Sequence, residues 1–209
     1  MKTVLLIFIY LFFLKQGFAQ NNYVMPKDYV IYKNLDNQES RIDADLDKDG
    51  IKDLLIVCAK KGSDMGGEIV VLFLSSNYKK DKKPDFFDFE ALGYNIELKN
   101  NVLIVGACFG NGRFCKTLKF RYETKLQNLQ LIGYDEESFG NAVHDGAYNK
   151  SVNLLTNAYN LSKYKWNEKL EKDETFFQKT DKIAIPSIIF KDVNQKMESL
   201  EQIGAKYLE

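Results

Sequence analysis

Residues 43–57 read DADLDKDGIKDLLIV and join an aspartate-rich loop to an apolar run. The run Leu54–Cys58 has the length of a buried strand, and the alternating segment Arg41–Leu46 has the pattern of a strand with one buried face. Asp and Gly between two such runs favour a turn. We therefore predict a β-hairpin over Ile42–Ala59 with the aspartate loop at its tip.

The spacing of the acidic side chains in this loop indicates a site for a hard cation. When Asp45 is counted as position 1, carboxylates fall at positions 1, 3, 5 and 9. Calcium takes about six to eight oxygen ligands, and Gly50 at position 6 permits a sharp turn. Ile51 at position 7 offers a backbone carbonyl. Position 12 is Ile56 and not the bidentate Glu of an EF-hand, so the loop is not an EF-hand.

The pattern DxDxDGxxD at residues 45–53 resembles the calcium loop of the FG-GAP/VCBS repeat family. In that family the loop joins two antiparallel strands in extracellular bacterial proteins and integrin-type propellers. The resemblance covers about fifteen residues. The sequence has no second such loop, and several repeats are needed for a propeller, so a single loop is implied. The implied ligands of one Ca²⁺ ion are Asp45, Asp47, Asp49, the carbonyl of Ile51, and Asp53.

A turn without an ion is the alternative interpretation, because Asp and Gly are common in turns. However, four carboxylates within nine residues repel one another without a counter-ion. The neighbouring side chains of Lys48 and Lys52 are predicted to point to solvent. The spacing therefore favours bound Ca²⁺.

The first nineteen residues predict an export signal. Lys2 supplies the charged start, Thr3–Leu14 is apolar, and Gly17-Phe18-Ala19 places small residues where a signal peptidase cleaves. A retained membrane anchor is the alternative, but the apolar stretch is short for a bilayer. We expect cleavage after Ala19, no membrane span afterwards, and a periplasmic or extracellular protein.

Residues 20–209 are expected to form a single β-rich domain, because this length supports a sizeable core. The full chain has 29 basic and 29 acidic residues, so it lacks the basic excess that a nucleic-acid partner would require. The partner class that the sequence leaves open is an extracellular glycan or protein. Residues 180–209 are either part of this domain or a C-terminal appendage.

Asn111-Gly112 marks a hairpin turn between two of the three cysteines. A turn at that position sets Cys108 opposite Cys115, within the reach of a disulfide. Export makes oxidation plausible, and two adjacent reduced thiols are the alternative. Cys58 lies in the apolar run and is predicted to be a buried, inert thiol.

The remaining pattern predicts a mostly β fold: an antiparallel meander, sandwich-like or partial-propeller-like, with a short C-terminal helix. Glu68–Leu74 is apolar on both faces and is predicted to be a central strand. The other predicted elements are a four-strand meander over 94–134, an exposed loop over 77–84, a polar loop over 135–149, two strands within 150–167, an edge strand over 183–190, and a helix over 197–208.

The sequence carries no motif for an activated nucleophile or a phosphate-binding loop. Its one histidine, His144, therefore has no nucleophile that a recognisable motif would place beside it. We therefore expect a non-catalytic role with a structural ion. One alternative is a carbohydrate- or protein-binding module, in which Trp166 beside Tyr164 stacks on a sugar. Ordinary packing of Trp166 in a sheet competes with that interpretation. Another alternative is a hydrolase whose carboxylates meet only in three dimensions.

Overall fold

A computed structural model describes residues 23–34, 36–63, 66–88, 91, 93–110, 112–142 and 146–208. The predicted export signal, residues 1–19, and His144 lie outside these ranges. The described residues form two antiparallel sheets and a short C-terminal helix, without a closed barrel, so the predicted fold class is confirmed.

The smaller sheet has five strands and contains the hairpin predicted around the aspartate loop. In this hairpin, Arg41 pairs with Ile56, and Ala44 pairs with Asp53. The order is β1-β3-β4-β5, with β2 also paired to β3. The strands are β1 (Tyr29–Ile31), β2 (Arg41–Ala44), β3 (Asp53–Lys60), β4 (Ile69–Phe73) and β5 (Asp85–Phe87).

The larger sheet is a meander of seven strands in chain order, which extends the four predicted over 94–134. Each strand pairs antiparallel with the next. Short connections favour this arrangement, because parallel neighbours would need long crossover segments. The strands are β6 (Gly93–Lys99), β7 (Val102–Phe109), β8 (Phe114–Glu123), β9 (Asn128–Phe139), β10 (Ala147–Asn153), β11 (Ala158–Asn167) and β12 (Lys172–Lys182).

Three predictions about single elements are wrong. The exposed loop predicted over 77–84 is largely a helix, Ser75–Asp81. The polar loop predicted over 135–149 contains the end of β9 and the start of β10, which pair with each other. The edge strand predicted over 183–190 is irregular and makes one isolated bridge, between Gln130 and Ile189. One face of β9 and of β10 is exposed to solvent and carries polar residues. The apolar pattern therefore identifies only the residues of the buried face, and the polar ends of both strands were predicted as loop.

The C-terminal helix occupies Val193–Glu201 and is followed by a 3-10 turn, Ala205–Tyr207. It therefore begins four residues before the predicted start at Met197. None of the helices in the described part of the chain is long and apolar enough to cross a bilayer.

The main hydrophobic core lies between the two sheets and is completed by the C-terminal segment. Phe190 is fully buried, and its ring centroid lies 4.8 Å from that of Phe87 and 5.2 Å from that of Phe120. The other face of β3 and β4 packs in a second cluster with Tyr78 and residues near the described N-terminal end. These two strands are thus buried on both faces, as their continuous apolar sequences indicate.

A buried ion pair interrupts the apolar core below the C-terminal helix. Lys150 Nζ lies 2.8 Å from Glu136 Oε2, and both side chains are almost fully excluded from solvent. Glu136 also accepts hydrogen bonds from the hydroxyls of Tyr134 and Tyr148. Lys150 Nζ donates to the carbonyl of Glu201, 2.9 Å away, at the end of the helix. Burial lowers the pKa of Lys150, against the opposing effect of Glu136.

A disulfide joins Cys108 of β7 to Cys115 of β8, the pair expected from the Asn-Gly turn. The two residues face each other in the strand register, with a Cα–Cα distance of 4.1 Å. Cys58 is buried and free, and burial raises the pKa of its thiol to about 12. The disulfide is consistent with a protein located outside the cytoplasm.

Removing this disulfide is expected to lower the free energy of unfolding by about 2 kcal/mol, because the loop that it closes is short. The measurement is urea unfolding of Cys108→Ser/Cys115→Ser against the wild type. Reductant should destabilise the wild type by a similar amount and leave the double variant unchanged. A wild type that is insensitive to reductant under unfolding conditions would contradict the prediction.

Candidate metal centre

The loop between β2 and β3 brings three of the predicted ligands together. Carboxylate oxygens of Asp45, Asp47 and Asp49 lie within 4.8 Å of one another. Gly50 follows with φ 84°, and Lys48 has φ 61°. Both values belong to the left-handed region, which only glycine adopts without strain. The backbone is therefore curled so that every second side chain points to one centre.

Hydrogen bonds within the loop hold these carboxylates in position. Asp45 Oδ2 accepts from the N–H of Gly50 at 3.0 Å. Asp47 Oδ1 accepts from the N–H of Asp49 at 3.1 Å, and Asp49 Oδ1 accepts from the N–H of Ile51 at 2.8 Å. Side-chain bonds of this kind stabilise a tight turn. Each aspartate thus has one oxygen bound to the loop backbone.

The second oxygens of Asp47 and Asp49 connect the loop to the helix Ser75–Asp81. Asp47 Oδ2 accepts from Ser76 Oγ at 2.5 Å. Asp49 Oδ2 accepts from Ser75 Oγ at 2.8 Å and from Lys79 Nζ at 3.2 Å. The loop is therefore attached to an element more than twenty residues further along the chain.

Asp53 has a different position from the other three aspartates. It is fully buried at the start of β3 and lies outside the group of converging carboxylates. Its Oδ2 accepts from the N–H groups of Leu46 and Asp47, and its Oδ1 accepts from the N–H of Ser75 at 2.7 Å. Asp53 thereby joins the loop and the helix start. Its role as a metal ligand, and that of the Ile51 carbonyl, stay predictions.

Burial and neighbouring charges alter the acidities at this site. Burial raises the pKa of Asp53 to about 6, although the hydrogen bond from Ser75 acts to lower it. The pKa of Asp49 is lowered overall, because bonds from Ser75, Ile51 and Lys79 outweigh the effect of burial. Burial and the carboxylates of the loop raise the pKa of Tyr122 in β8.

Sequence reasoning missed the helix residues of this site, Ser75, Ser76 and Lys79. Two serines directly after an apolar strand are a helix-start signal that could have identified the helix. No serine side chain caps this helix. The carboxylates of Asp53 and Asp47 accept its first N–H groups instead, at Ser75 and Ser76. That arrangement depends on tertiary structure and has no local sequence pattern.

A cleft of about 620 Å³ opens beside the loop, between Asp45 and the ends of β6, β7 and β8. Its lining includes Lys48, Asn100, Arg121 and Tyr122. Asp45 is exposed, so the open side of the triad is accessible from solvent.

The three converging side chains offer only carboxylate oxygens. Oxygen donors suit Ca²⁺ or Mg²⁺, whereas zinc sites usually include His or Cys. The triad is the only group of three or more His, Cys, Asp or Glu side chains near enough to share an ion, in the part of the chain that the structure describes. The donor set therefore fits a hard cation.

Comparisons of the chain with models of protein families, with curated proteins and with solved structures find no significant match. The loop geometry and the fold therefore carry the functional proposal.

Proposed function

We propose that this chain is an exported, non-catalytic β domain that one Ca²⁺ ion stabilises at the aspartate loop. The observation that carries the proposal is the convergence of Asp45, Asp47 and Asp49 within 4.8 Å at the tip of the β2–β3 hairpin. The resemblance of this loop to the FG-GAP/VCBS calcium loop supports the choice of ion.

Electrostatics favour a bound cation over an ion-free turn. Three carboxylates share a small volume, and the ion pair with Lys79 brings one positive charge to Asp49. That pair is partly exposed and therefore contributes little stability by itself. A divalent cation would offset the remaining repulsion and coordinate triad carboxylate oxygens, each of which has more than one lone pair.

The surroundings of the loop favour a structural role for the ion. Asp47, Asp49 and Asp53 all bind the helix Ser75–Asp81. An ion at the triad would therefore hold the β2–β3 hairpin against the segment that follows β4. The gain would be stability of the smaller sheet.

The proposed function also includes export from the cytoplasm. The charged and apolar start of the chain supports it, and the Cys108–Cys115 disulfide is consistent with an oxidising compartment. Extracellular modules bind calcium with Kd on the order of 10⁻⁴–10⁻³ M, which matches the calcium of such a compartment.

Calcium is expected to stabilise the wild type by about 1.4 kcal/mol at ten times Kd, because it binds the folded state alone. For a domain of this length, that free energy raises Tm by about 3–5 °C. Thermal unfolding in millimolar calcium, compared with unfolding in chelator, measures the shift. An unchanged Tm would refute the proposed function.

The substitution Asp45→Asn isolates ion binding from the other roles of the loop. The asparagine side chain keeps an oxygen for the N–H of Gly50 but removes one charge from the triad. We expect this variant to lose most of the calcium-dependent shift while its Tm in chelator stays near that of the wild type. Lys48→Ala is the matched control in the same loop and should keep the shift.

A further inference from the structure

The outer face of the seven-stranded sheet is polar and exposed, whereas its inner face forms the core. On β10, Lys150 and Val152 point inward, and Asn149, Ser151 and Asn153 are exposed. The register aligns outward residues of neighbouring strands in rows across the sheet. One such row contains Asp135, Ser151, Asn160 and Thr180.

Three aromatic side chains lie at one end of this outer face. Phe139 pairs with Ala147, which pairs in turn with Tyr164, so the two rings lie in one row with alanine between them. Trp166 follows two residues along β11 and therefore projects on the same side. Phe139 is 48% exposed and Trp166 is 40% exposed. We call Phe139, Tyr164 and Trp166 the outer aromatic group.

The spacing within this group suits an extended ligand. Phe139 and Tyr164 are two strands apart, about 9.6 Å, and Tyr164 and Trp166 are about 6.6 Å apart along the strand. Ala147, between the first two rings, is small and buried. Tandem rings at such separations can contact successive units of a chain-like ligand.

Polar side chains border the rings in the neighbouring row of the sheet. The next row across the sheet contains Glu137, Asn149, Ser162 and Gln178. Asn149 Nδ2 lies 3.4 Å from the hydroxyl of Tyr164, so amide and ring are adjacent. Neither of these two rows contains an aliphatic side chain larger than alanine.

We propose that the outer aromatic group binds a neutral oligosaccharide chain. The apolar C–H faces of pyranose rings complement aromatic rings, and the bordering carboxylate, amide and hydroxyl groups complement sugar hydroxyls. Charges of both signs border the group: Glu137 and Asp173 are negative, whereas Arg113, whose guanidinium donates to the carbonyl of Gly140 beside Phe139, is positive. Polymers of uronate, phosphate or sulfate require a concentration of positive charge, which these mixed charges do not provide, so the group favours a neutral glycan. The site lies on the other sheet from the aspartate loop and requires no ion.

Calorimetric titration of the folded protein with neutral hexaoses of the cello-, xylo-, manno- and chito- series tests the proposal, with oligogalacturonate as the anionic probe. At least one neutral hexaose should bind, in calcium and in chelator alike. Trp166→Ala and Tyr164→Ala should each weaken that binding about tenfold. Trp166→Phe, which keeps a ring, should retain most of it.

Phe176→Ala is the matched control, because Phe176 is also an exposed aromatic of the β11–β12 hairpin but lies at its bulge. It should bind like the wild type, and the Tm of each variant verifies its fold. Failure of every neutral hexaose to bind would overturn the proposal and leave the rings as a surface for a protein. Equal binding by folded Trp166→Ala, or tighter binding of oligogalacturonate, would also overturn it.

Discussion

Replacing Lys150 with alanine is expected to lower the free energy of unfolding by about 3–5 kcal/mol, because one partner of a buried ion pair is removed. Glu136 would remain about 3% exposed at its side chain without the cation that faces it. The carbonyl of Glu201 would lose its donor at the end of the C-terminal helix. The loss should therefore exceed the effect of removing a surface charge.

Urea unfolding of Lys150→Ala measures this loss, and Lys165→Ala is the matched control on the next strand, where the side chain is exposed. Hydrogen exchange should show faster opening of the helix Val193–Glu201 in Lys150→Ala. The double variant Lys150→Met/Glu136→Leu should lose less than the single variant, because it leaves no unpaired buried charge. A loss below about 1 kcal/mol in Lys150→Ala would show that the pair does not hold the helix.

Asp53→Ala is expected to cost about 3 kcal/mol or more, even in chelator, because it leaves three backbone N–H groups without their acceptor. Each buried donor left unsatisfied costs about 1–3 kcal/mol. The donors belong to Leu46 and Asp47 in the loop and to Ser75 at the helix start, so the substitution would detach both segments from the start of β3. This effect is distinct from the loss of an ion.

Equilibrium unfolding in chelator separates the two effects. Asp53→Ala should lose stability there, whereas Asp45→Asn should not. Asp36→Ala, at an exposed aspartate, is the control for removal of a carboxylate alone. Asp53→Asn keeps one oxygen acceptor and should lose less than Asp53→Ala. If Asp53→Ala is as stable as the wild type in chelator, its hydrogen bonds do not hold the loop to the helix.

Local patterns predicted much of the β structure. The hairpin over Ile42–Ala59, the central strand β4 and the meander over 94–134 all follow from alternation and turn residues. The strand β12 was not predicted, because its sequence is charged and its register comes from pairing with β11. An edge strand can obtain its backbone hydrogen bonds from a neighbour without an apolar face of its own.

Sequence by itself determined the features whose partners lie within a few residues. The curled aspartate loop and the opposition of Cys108 and Cys115 follow from side-chain spacing and from a turn, both short-range properties of the chain. Tertiary structure alone decided the role of Asp53, which binds Ser75 from 22 residues away, and of Lys150, which binds the carbonyl of Glu201 from 51 residues away. The physical reason is that a buried charge must be paired or hydrogen-bonded, and its partner can be any residue that the packing of sheets and helices brings near. A local sequence pattern does not identify such a distant partner.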